Sequence, residues 1–192
     1  FTQGVLTLKG RALADTGSIL QSVGQTALDA TADLRLTKTE ITAKGSVALS
    51  GAGMTLANVD IVGKGGLSAR ADTLSANGGS LYSAGTADIR SQGSLTLRDL
   101  EVTSMREATL SGTTVTFNGL DLLTGGGLGI TAGTLAATNS VLSAEKGITF
   151  AVNGGLRLTG SSANAKGAVT VTGTAVEMDR SGLMAGGRLA LT

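Results

Sequence analysis

Two pairs of carboxylates stand twenty residues apart along the chain: Glu40 with Asp60, and Glu101 with Asp121. If the fold brought each pair to adjacent positions, the side chains would suit a divalent cation or the acid and base of a glycoside hydrolase. They equally suit a solvated strand face whose charge repulsion is screened or relieved by Lys38 and Arg98 nearby. We therefore assign no catalytic residue and no metal ligand, and retain the four carboxylates as candidate surface contacts.

A second candidate contact is Tyr82, the only tyrosine of the chain, which follows Val62 by twenty residues. An exposed ring can stack on a sugar, and a small apolar patch can start a recognition surface. The alternative is ordinary packing between neighbouring strands. Lys44, Lys64 and Lys166 lie at the same corner of the repeat. They could bind an anionic glycan, or they could form an ordinary charged surface.

The composition excludes several kinds of chemistry. The chain has no His and no Cys, so it lacks the commonest general base, the commonest transition-metal ligand and every disulfide. Its net charge of +1 would not attract nucleic acid, and no apolar run is long enough for a membrane-spanning helix. Only 2% of the residues are aromatic against 41% hydrophobic, which indicates a narrow aliphatic interior. We expect no cofactor, no nucleic-acid partner and no enzymatic activity.

Comparison of the chain with itself shows why these residues recur at a fixed interval. A Gly-x-apolar-x-apolar motif, as in "GAVTVTG" from Gly167, returns every 20 or 21 residues, with Arg106 and Lys146 in place of the glycine in two repeats, so the glycine is favoured there and not indispensable. The apolar pairs of this motif are Leu6/Leu8, Thr26/Leu28, Val47/Leu49, Leu67/Ala69, Ala87/Ile89, Ala108/Leu110, Leu128/Ile130, Ile148/Phe150, Val169/Val171 and Leu189/Leu191. Two more alternating pairs follow in each complete repeat. Leu13/Asp15 is the one poor second pair, and the longer repeats take their extra residue before the second pair.

Alternation with a period of two predicts strands, three in each repeat, separated by corners rich in Gly, Ser, Asn and Asp. One repeat cannot bury three apolar faces alone, but a triangular coil can, because each strand pairs with its equivalents in the turns above and below. The sequence therefore predicts an all-β fold, a right-handed parallel β-helix with three sides and 20–21 residues per turn. We expect one domain over residues 1–192, an internal fragment of a longer filament.

Three details of this coil follow from the residue types. Phe117 and Phe150 fall on inward positions and should fill local space in the core. A column of hydroxyl side chains begins the third pair in several repeats and should bond to corner backbone. The recurring glycines should supply the corners where φ is positive.

The repeated Gly-x-apolar-x-apolar motif, the period of about twenty, the many Gly, Ser, Thr, Ala and Asn residues and the lack of Cys resemble the haemagglutinin repeats of filamentous-haemagglutinin-type exoproteins. These are the secreted partners of two-partner secretion systems in Gram-negative bacteria. The resemblance covers essentially the whole chain. It implies a secreted or cell-surface filament exported through an outer-membrane transporter, with flanking repeats in the same chain and host-cell glycans or receptors as partners. The repeat motif is structural, so no functional residue carries over.

Three functions are compatible with this sequence. The leading one is a structural and adhesive rod segment of a virulence-associated adhesin, which presents or extends a binding region. The second is the stalk of a contact-dependent toxin-delivery filament, which would have the same repeats. The third is a carbohydrate-cleaving β-helix enzyme. It would need a tight acidic or basic cluster and long loops around a cleft, and the short uniform turns argue against it.

Overall fold

The computed structural model describes residues 2–192, and within that range the chain consists of strands and turns without a helix. The strands, in chain order, are β1 (Leu6–Gly10), β2 (Leu13–Thr16), β3 (Ile19–Ser22), β4 (Thr26–Ala30), β5 (Asp33–Thr37), β6 (Glu40–Ala43), β7 (Ser46–Gly63), β8 (Gly66–Ser83), β9 (Ala87–Ser91), β10 (Ser94–Arg98), β11 (Glu101–Ser104), β12 (Ala108–Asn118), β13 (Asp121–Thr124), β14 (Leu128–Thr138), β15 (Val141–Ala144), β16 (Ile148–Val152), β17 (Gly155–Thr159), β18 (Ser162–Ala165), β19 (Val169–Thr172), β20 (Ala175–Asp179), β21 (Gly182–Ala185) and β22 (Leu189–Leu191).

The strands stack into three walls of a β-solenoid of about nine turns. The first wall runs from 6–10 to 189–191, the second from 13–16 to 175–179, and the third from 19–22 to 182–185. Each residue pairs in parallel with its equivalent 20 or 21 positions later, as Val47 pairs with Leu67 and Ile89 with Leu110. This register confirms the predicted three-sided parallel coil.

The core is one continuous aliphatic column inside the walls. Leu49, Leu110 and Val171, from three well-separated turns of the first wall, all belong to it. Phe117 and Phe150 are fully buried, which confirms that they fill the interior. Equivalent side chains lie over one another along the axis, so residues of similar size stack and large rings are rare.

The first corner, between the first and second walls, absorbs the variation in repeat length. Residues 31–32, 92–93 and 153–154 form two-residue breaks in the three longer repeats, so the extra residue falls where it was predicted. In four of the shorter repeats the strand instead continues through this corner, as β7, β8, β12 and β14. Separate strands at every corner were expected, and that expectation is wrong here.

The second corner, between the second and third walls, takes a positive φ in every turn. The residues are Gly17, Lys38, Asn58, Gly78, Asp99, Gly119, Asn139, Gly160 and Arg180, with φ between 45° and 72°. Asn and Asp tolerate this left-handed conformation better than most residues, whereas Lys38 and Arg180 adopt it at a steric cost. The expectation that glycine supplies the positive-φ corners is therefore only half right.

At the third corner, which joins the third wall to the next turn, the recurring glycines serve another purpose. Their φ values are not positive. A Cβ on Gly45 would stand 2.8 Å from the carbonyl carbon of Gly24, and one on Gly65 would stand 2.9 Å from that of Gly45. Consecutive turns approach closely at these glycines, although Arg106 and Lys146 open two of the turns and carry a side chain at the same position. The glycine that opens most turns is thus explained by close contact between backbones, which favours glycine without requiring it in every turn, a correction to the sequence-based interpretation.

Hydroxyl groups at the inner edge of the third wall satisfy backbone groups, as predicted. Ser161 Oγ donates to the Thr159 carbonyl at 3.0 Å and accepts the Ser140 N–H at 3.1 Å. Asp15, the polar member of its inward pair, accepts hydrogen bonds from the hydroxyls of Ser18 at 2.5 Å and Thr39 at 2.6 Å. A carboxylate is therefore accommodated at an inward position near the start of the coil.

Candidate functional site on the third wall

The outer side of the third wall carries the two carboxylate pairs in one column. We call this column, which holds the first outward position of the third wall in each turn, the acidic column: Ile19, Glu40, Asp60, Ser80, Glu101, Asp121, Val141, Ser162 and Gly182. Glu40 pairs in register with Asp60, and Glu101 with Asp121, so each pair occupies adjacent turns as the sequence predicts. Ser80 lies between the two pairs.

The carboxylates of this column face solvent and make few contacts. Asp60 accepts a hydrogen bond from the Ser80 hydroxyl at 2.7 Å. None of the four forms an ion pair within residues 2–192, so Lys38 and Arg98 do not neutralise them by direct contact. In the same range no group of three or more Asp, Glu, His or Cys side chains converges. The cation site and the paired-carboxylate hydrolase thus remain hypotheses that rest on two side chains per site.

Tyr82 lies in the next outward column of the same wall, which we call the middle column: Gln21, Thr42, Val62, Tyr82, Thr103, Leu123, Ser143, Asn164 and Met184. Val62 pairs with Tyr82 and Thr103 follows on the other side, so the predicted neighbours are adjacent. Both Val62 and Tyr82 are half-buried. The exposed Leu123 extends this apolar line one turn beyond Thr103.

Lysines and arginines gather at the third corner, on the far side of the middle column. Lys166 pairs with Glu145, and Lys146 Nζ lies 3.6 Å from Glu107 Oε1. The backbone N–H of Glu107 and then the positive charge of Lys146 hold the pKa of the Glu107 carboxyl below its ordinary value. Lys44 stands on the same turn as Glu40, four residues further along the chain.

Large apolar side chains that point outward are confined to this region of the described residues. Those exposed by more than a third are Val5, Ile19, Val23, Met105, Leu123, Val141 and Met184, all on the third wall or the third corner. Four of these, Val5, Ile19, Val23 and Met184, lie in the first or the last complete turn, so Met105, Leu123 and Val141 are the members in the middle of the rod. The other exposed large apolar residues are Leu8, Val176, Met178, Leu189 and Leu191, which lie at the two ends of the coil. Sequence reasoning found Val62 and Tyr82 but missed this wider set.

Sequence reasoning also missed a charged cluster on the first wall. Asp88 Oδ1 lies 2.5 Å from Arg90 Nε, and Asp88 Oδ2 lies 2.9 Å from Arg70 Nη2. Partial burial by itself would raise the pKa of the Asp88 carboxyl, but the hydrogen bonds and charges of Arg90 and Arg70 outweigh it, so the pKa lies below the ordinary 3.8. The signal was an acidic residue with an arginine two residues later and another on the preceding turn.

A shallow groove of about 660 Å³ runs past this cluster at the first corner. Arg70, Arg90 and Asp72 supply its charged side chains, and Ser50 and Gln92 are among its polar ones. Both arginines are already engaged by Asp88, so the groove offers hydroxyl and amide groups more than free charge. Its chemistry is that of a polar surface channel.

Comparison with known proteins identified no relative of this chain. No family model, no curated protein and no solved structure matches the chain. Among residues 2–192 no helix is long and apolar enough to cross a bilayer. The solenoid and the surface of its third wall are therefore the observations on which a function must be argued.

Proposed function

We propose that this chain is a rod segment of a large bacterial exoprotein of the adhesin type, exported through an outer-membrane transporter and held at or released from the cell surface. The observation that carries the proposal is the uniformity of the solenoid. About nine turns repeat one backbone plan with corners of only a few residues. Such a rod extends a binding region and offers the same shallow surface many times.

The third wall is the proposed contact surface of this rod. The Val62 and Tyr82 patch gives an apolar platform for a sugar ring or an apolar side chain, and the pairs Glu40/Asp60 and Glu101/Asp121 border it. Contacts of this kind are individually weak. Adhesion would then depend on many rods presented together, which raises the effective concentration of each contact.

Binding by the isolated chain tests the adhesive part of the proposal. Beads coated with the 192-residue chain should bind a glycan array or host cells above uncoated beads. Tyr82→Ala should reduce binding at least about threefold, because the ring supplies the stacking surface. Thr55→Ala, at an exposed outward position of the second wall, is the matched control and should bind like the parent chain.

A folded chain that binds no glycan and no cell would contradict direct adhesion and favour the toxin-delivery stalk, whose binding and toxic parts would lie outside this segment. The proposal also includes the absence of enzymatic activity. Incubation with acidic and neutral polysaccharides should release no new reducing ends. Release that disappears in Glu101→Gln would instead support the paired-carboxylate hydrolase.

A further inference from the structure

The outer face of the third wall has opposite charges along its two edges. The second corner and the acidic column carry five acidic and two basic residues, a net charge of −3: Glu40, Asp60, Asp99, Glu101 and Asp121 against Lys38 and Arg180. The third corner carries six basic and two acidic residues, a net charge of +4: Lys44, Lys64, Arg106, Lys146, Lys166 and Arg188 against Glu107 and Glu145. The edges are about 13 Å apart, the length of four strand residues.

Many of these charges have no partner inside the described part of the molecule. The acidic column and the basic side chains Lys44, Lys64 and Arg106 form no ion pair there. On the first wall, by contrast, Lys9 pairs with Asp29, and both arginines pair with Asp88. The third wall thus combines unpaired charge at its edges with the outward apolar residues, such as Leu123, which is 48% exposed.

We propose that the third walls of two copies of this chain pack face to face, with the rods parallel and related by a twofold axis along the middle column. This rotation exchanges the two edges of the face, so the acidic column of each copy meets the basic third corner of the other. Residues on the middle column meet their own equivalents, Val62 on Val62 and Tyr82 on Tyr82. The centre of this interface is therefore formed by apolar contacts and its edges by charged contacts, as in protein interfaces generally.

Charge selects the parallel arrangement over the antiparallel one. If the twofold axis lay across the rods, each edge would face itself, and Glu40, Asp60, Glu101 and Asp121 would approach the same column of the second copy. Like charges placed opposite each other oppose association. In the parallel arrangement Glu40 and Asp60 stand on the same two turns as Lys44 and Lys64, so each of these two carboxylates meets a lysine at the same height along the rod. The basic residue nearest in height to Glu101 is Arg106.

The size of the face indicates a weak, reversible dimer. Nine turns at about 4.8 Å and a width of about 13 Å give an interface near 1,100 Å² over both copies, at the low end for specific complexes. The pairing does not rest on the proposed adhesive function. Pairing and adhesion would compete for Tyr82, so a paired rod would have this ring covered and a free rod would present it.

Sedimentation equilibrium of the 192-residue chain between about 5 and 500 µM tests the proposal. The weight-average mass should rise from 18.9 kDa towards twice that value and stop there. About 0.5 M salt should weaken the dimer by screening its edges. Quenching of Tyr82 fluorescence by acrylamide should fall as the dimer forms, and this signal is specific because the chain has one Tyr and no Trp.

Substitutions on the face separate pairing from other kinds of association. Leu123→Glu should raise the dissociation constant at least about tenfold, whereas Ala136→Glu, at an exposed position of the second wall, should leave it unchanged. Glu40→Lys with Asp60→Lys should weaken pairing by a similar factor. Adding Lys44→Glu and Lys64→Glu to these two should restore it, because the exchanged columns are again complementary.

Several results would overturn the proposal. They are a monomer throughout the concentration range, growth beyond a dimer that Leu123→Glu does not affect, and failure of the reversed charges to restore pairing. Far-ultraviolet circular dichroism checks that each variant is folded. If Leu123→Glu does not fold, the charge variants decide, since they alter only exposed side chains.

Discussion

At the scale of single residues, Gly45 and Gly129 separate two reasons for glycine in this coil. A Cβ on Gly45 would stand 2.8 Å from the backbone of Gly24, whereas one on Gly129 would have no atom within 4 Å. We expect Gly45→Ala to lower the free energy of unfolding by roughly 1–3 kcal/mol, because the turns must separate. Gly129→Ala should leave it unchanged or raise it by roughly 0.5–1 kcal/mol, because the unfolded chain loses freedom.

Urea unfolding of the two variants beside the parent chain measures this difference. Both substitutions add one methyl group, so they are matched in chemistry and differ in the space available. Equal midpoints for the two variants would show that the third corner relaxes at little cost. The close-contact explanation of the repeated glycine would then be wrong.

Asp88 gives a prediction that depends on pH. Its pKa lies below the ordinary 3.8, so ionised Asp88 stabilises the fold above that value, and the contribution is lost as the pH falls through the lowered pKa. Asp88→Asn should lower the free energy of unfolding by roughly 1 kcal/mol at pH 7, and the difference from the parent should shrink as the pH falls below 3.8 and through the lowered pKa. The net effect is modest because the two arginine partners stay solvated: their side chains are 65% and 55% exposed.

Asp33→Asn is the control for this experiment. Asp33 pairs with Arg35 at 3.1 Å, but both side chains are more than half exposed. Its substitution should have a much smaller effect at pH 7. A pH-independent loss in Asp88→Asn would indicate that packing, not charge, is responsible.

At the scale of the structural element, the second corner predicts stabilising substitutions. Lys38 holds a φ of 51°, a conformation that is unfavourable for a residue with a Cβ. Lys38→Gly should raise the free energy of unfolding by roughly 0.5–1 kcal/mol. Glycine relieves the backbone strain, and the entropy that it adds to the unfolded chain offsets part of this gain. Lys44→Gly, at the third corner where φ is not positive, should lower it.

Thermal unfolding of both variants is the measurement. A rise in Tm for Lys38→Gly and a fall for Lys44→Gly would match the backbone geometry. A fall in both would mean that the Lys38 side chain contributes contacts worth more than the strain, and the corner would then be fixed by side-chain packing.

The walls could be predicted from the sequence, whereas the backbone angles and close contacts of the corners could be predicted only in part. Alternating apolar residues at a steady period identify which residues stack, and Leu49 over Leu28 follows from spacing alone. The backbone angles at a corner are only weakly indicated by residue type. Asn58 and Gly78 are residues that tolerate positive φ, but nothing in the residue type of Lys38 predicts the positive φ that it adopts. Spacing likewise cannot tell a glycine required by φ from one required by a neighbouring turn, as at Gly45.

The candidate surface was predicted only in part for a related reason. Register places Glu40 beside Asp60 and Val62 beside Tyr82, and both pairs are found as expected. Spacing alone places Leu123 and Met184 in the same outward column as Val62 and Tyr82, but the exposed fraction of each side chain depends on its neighbours and is known only from the structure. Leu123 stands out there because its column neighbour Thr103 is small.

At the scale of the whole molecule, each turn contacts only the turns on either side of it. Leu95, for example, pairs with Leu74 below and Val115 above. Stability in such a stack is close to a sum over turns and their interfaces, and opening starts where an interface is missing. The terminal turns show this in their burial: Leu191, an inward residue of the last turn, is 56% exposed, whereas Leu95 is fully buried.

Matched substitutions at these two leucines test the additive description. Leu95→Ala should lower the free energy of unfolding by roughly 3 kcal/mol, since it leaves a cavity between two neighbouring turns. Leu191→Ala should lower it by less than roughly 1 kcal/mol, because most of that side chain is already in contact with water. Hydrogen exchange should protect the central turns most and the terminal turns least, and Leu95→Ala should open a weak point in the middle of the rod. Uniform protection along the chain, with equal losses from both substitutions, would mean that the rod unfolds as one cooperative unit and that neighbouring turns do not act as separate layers.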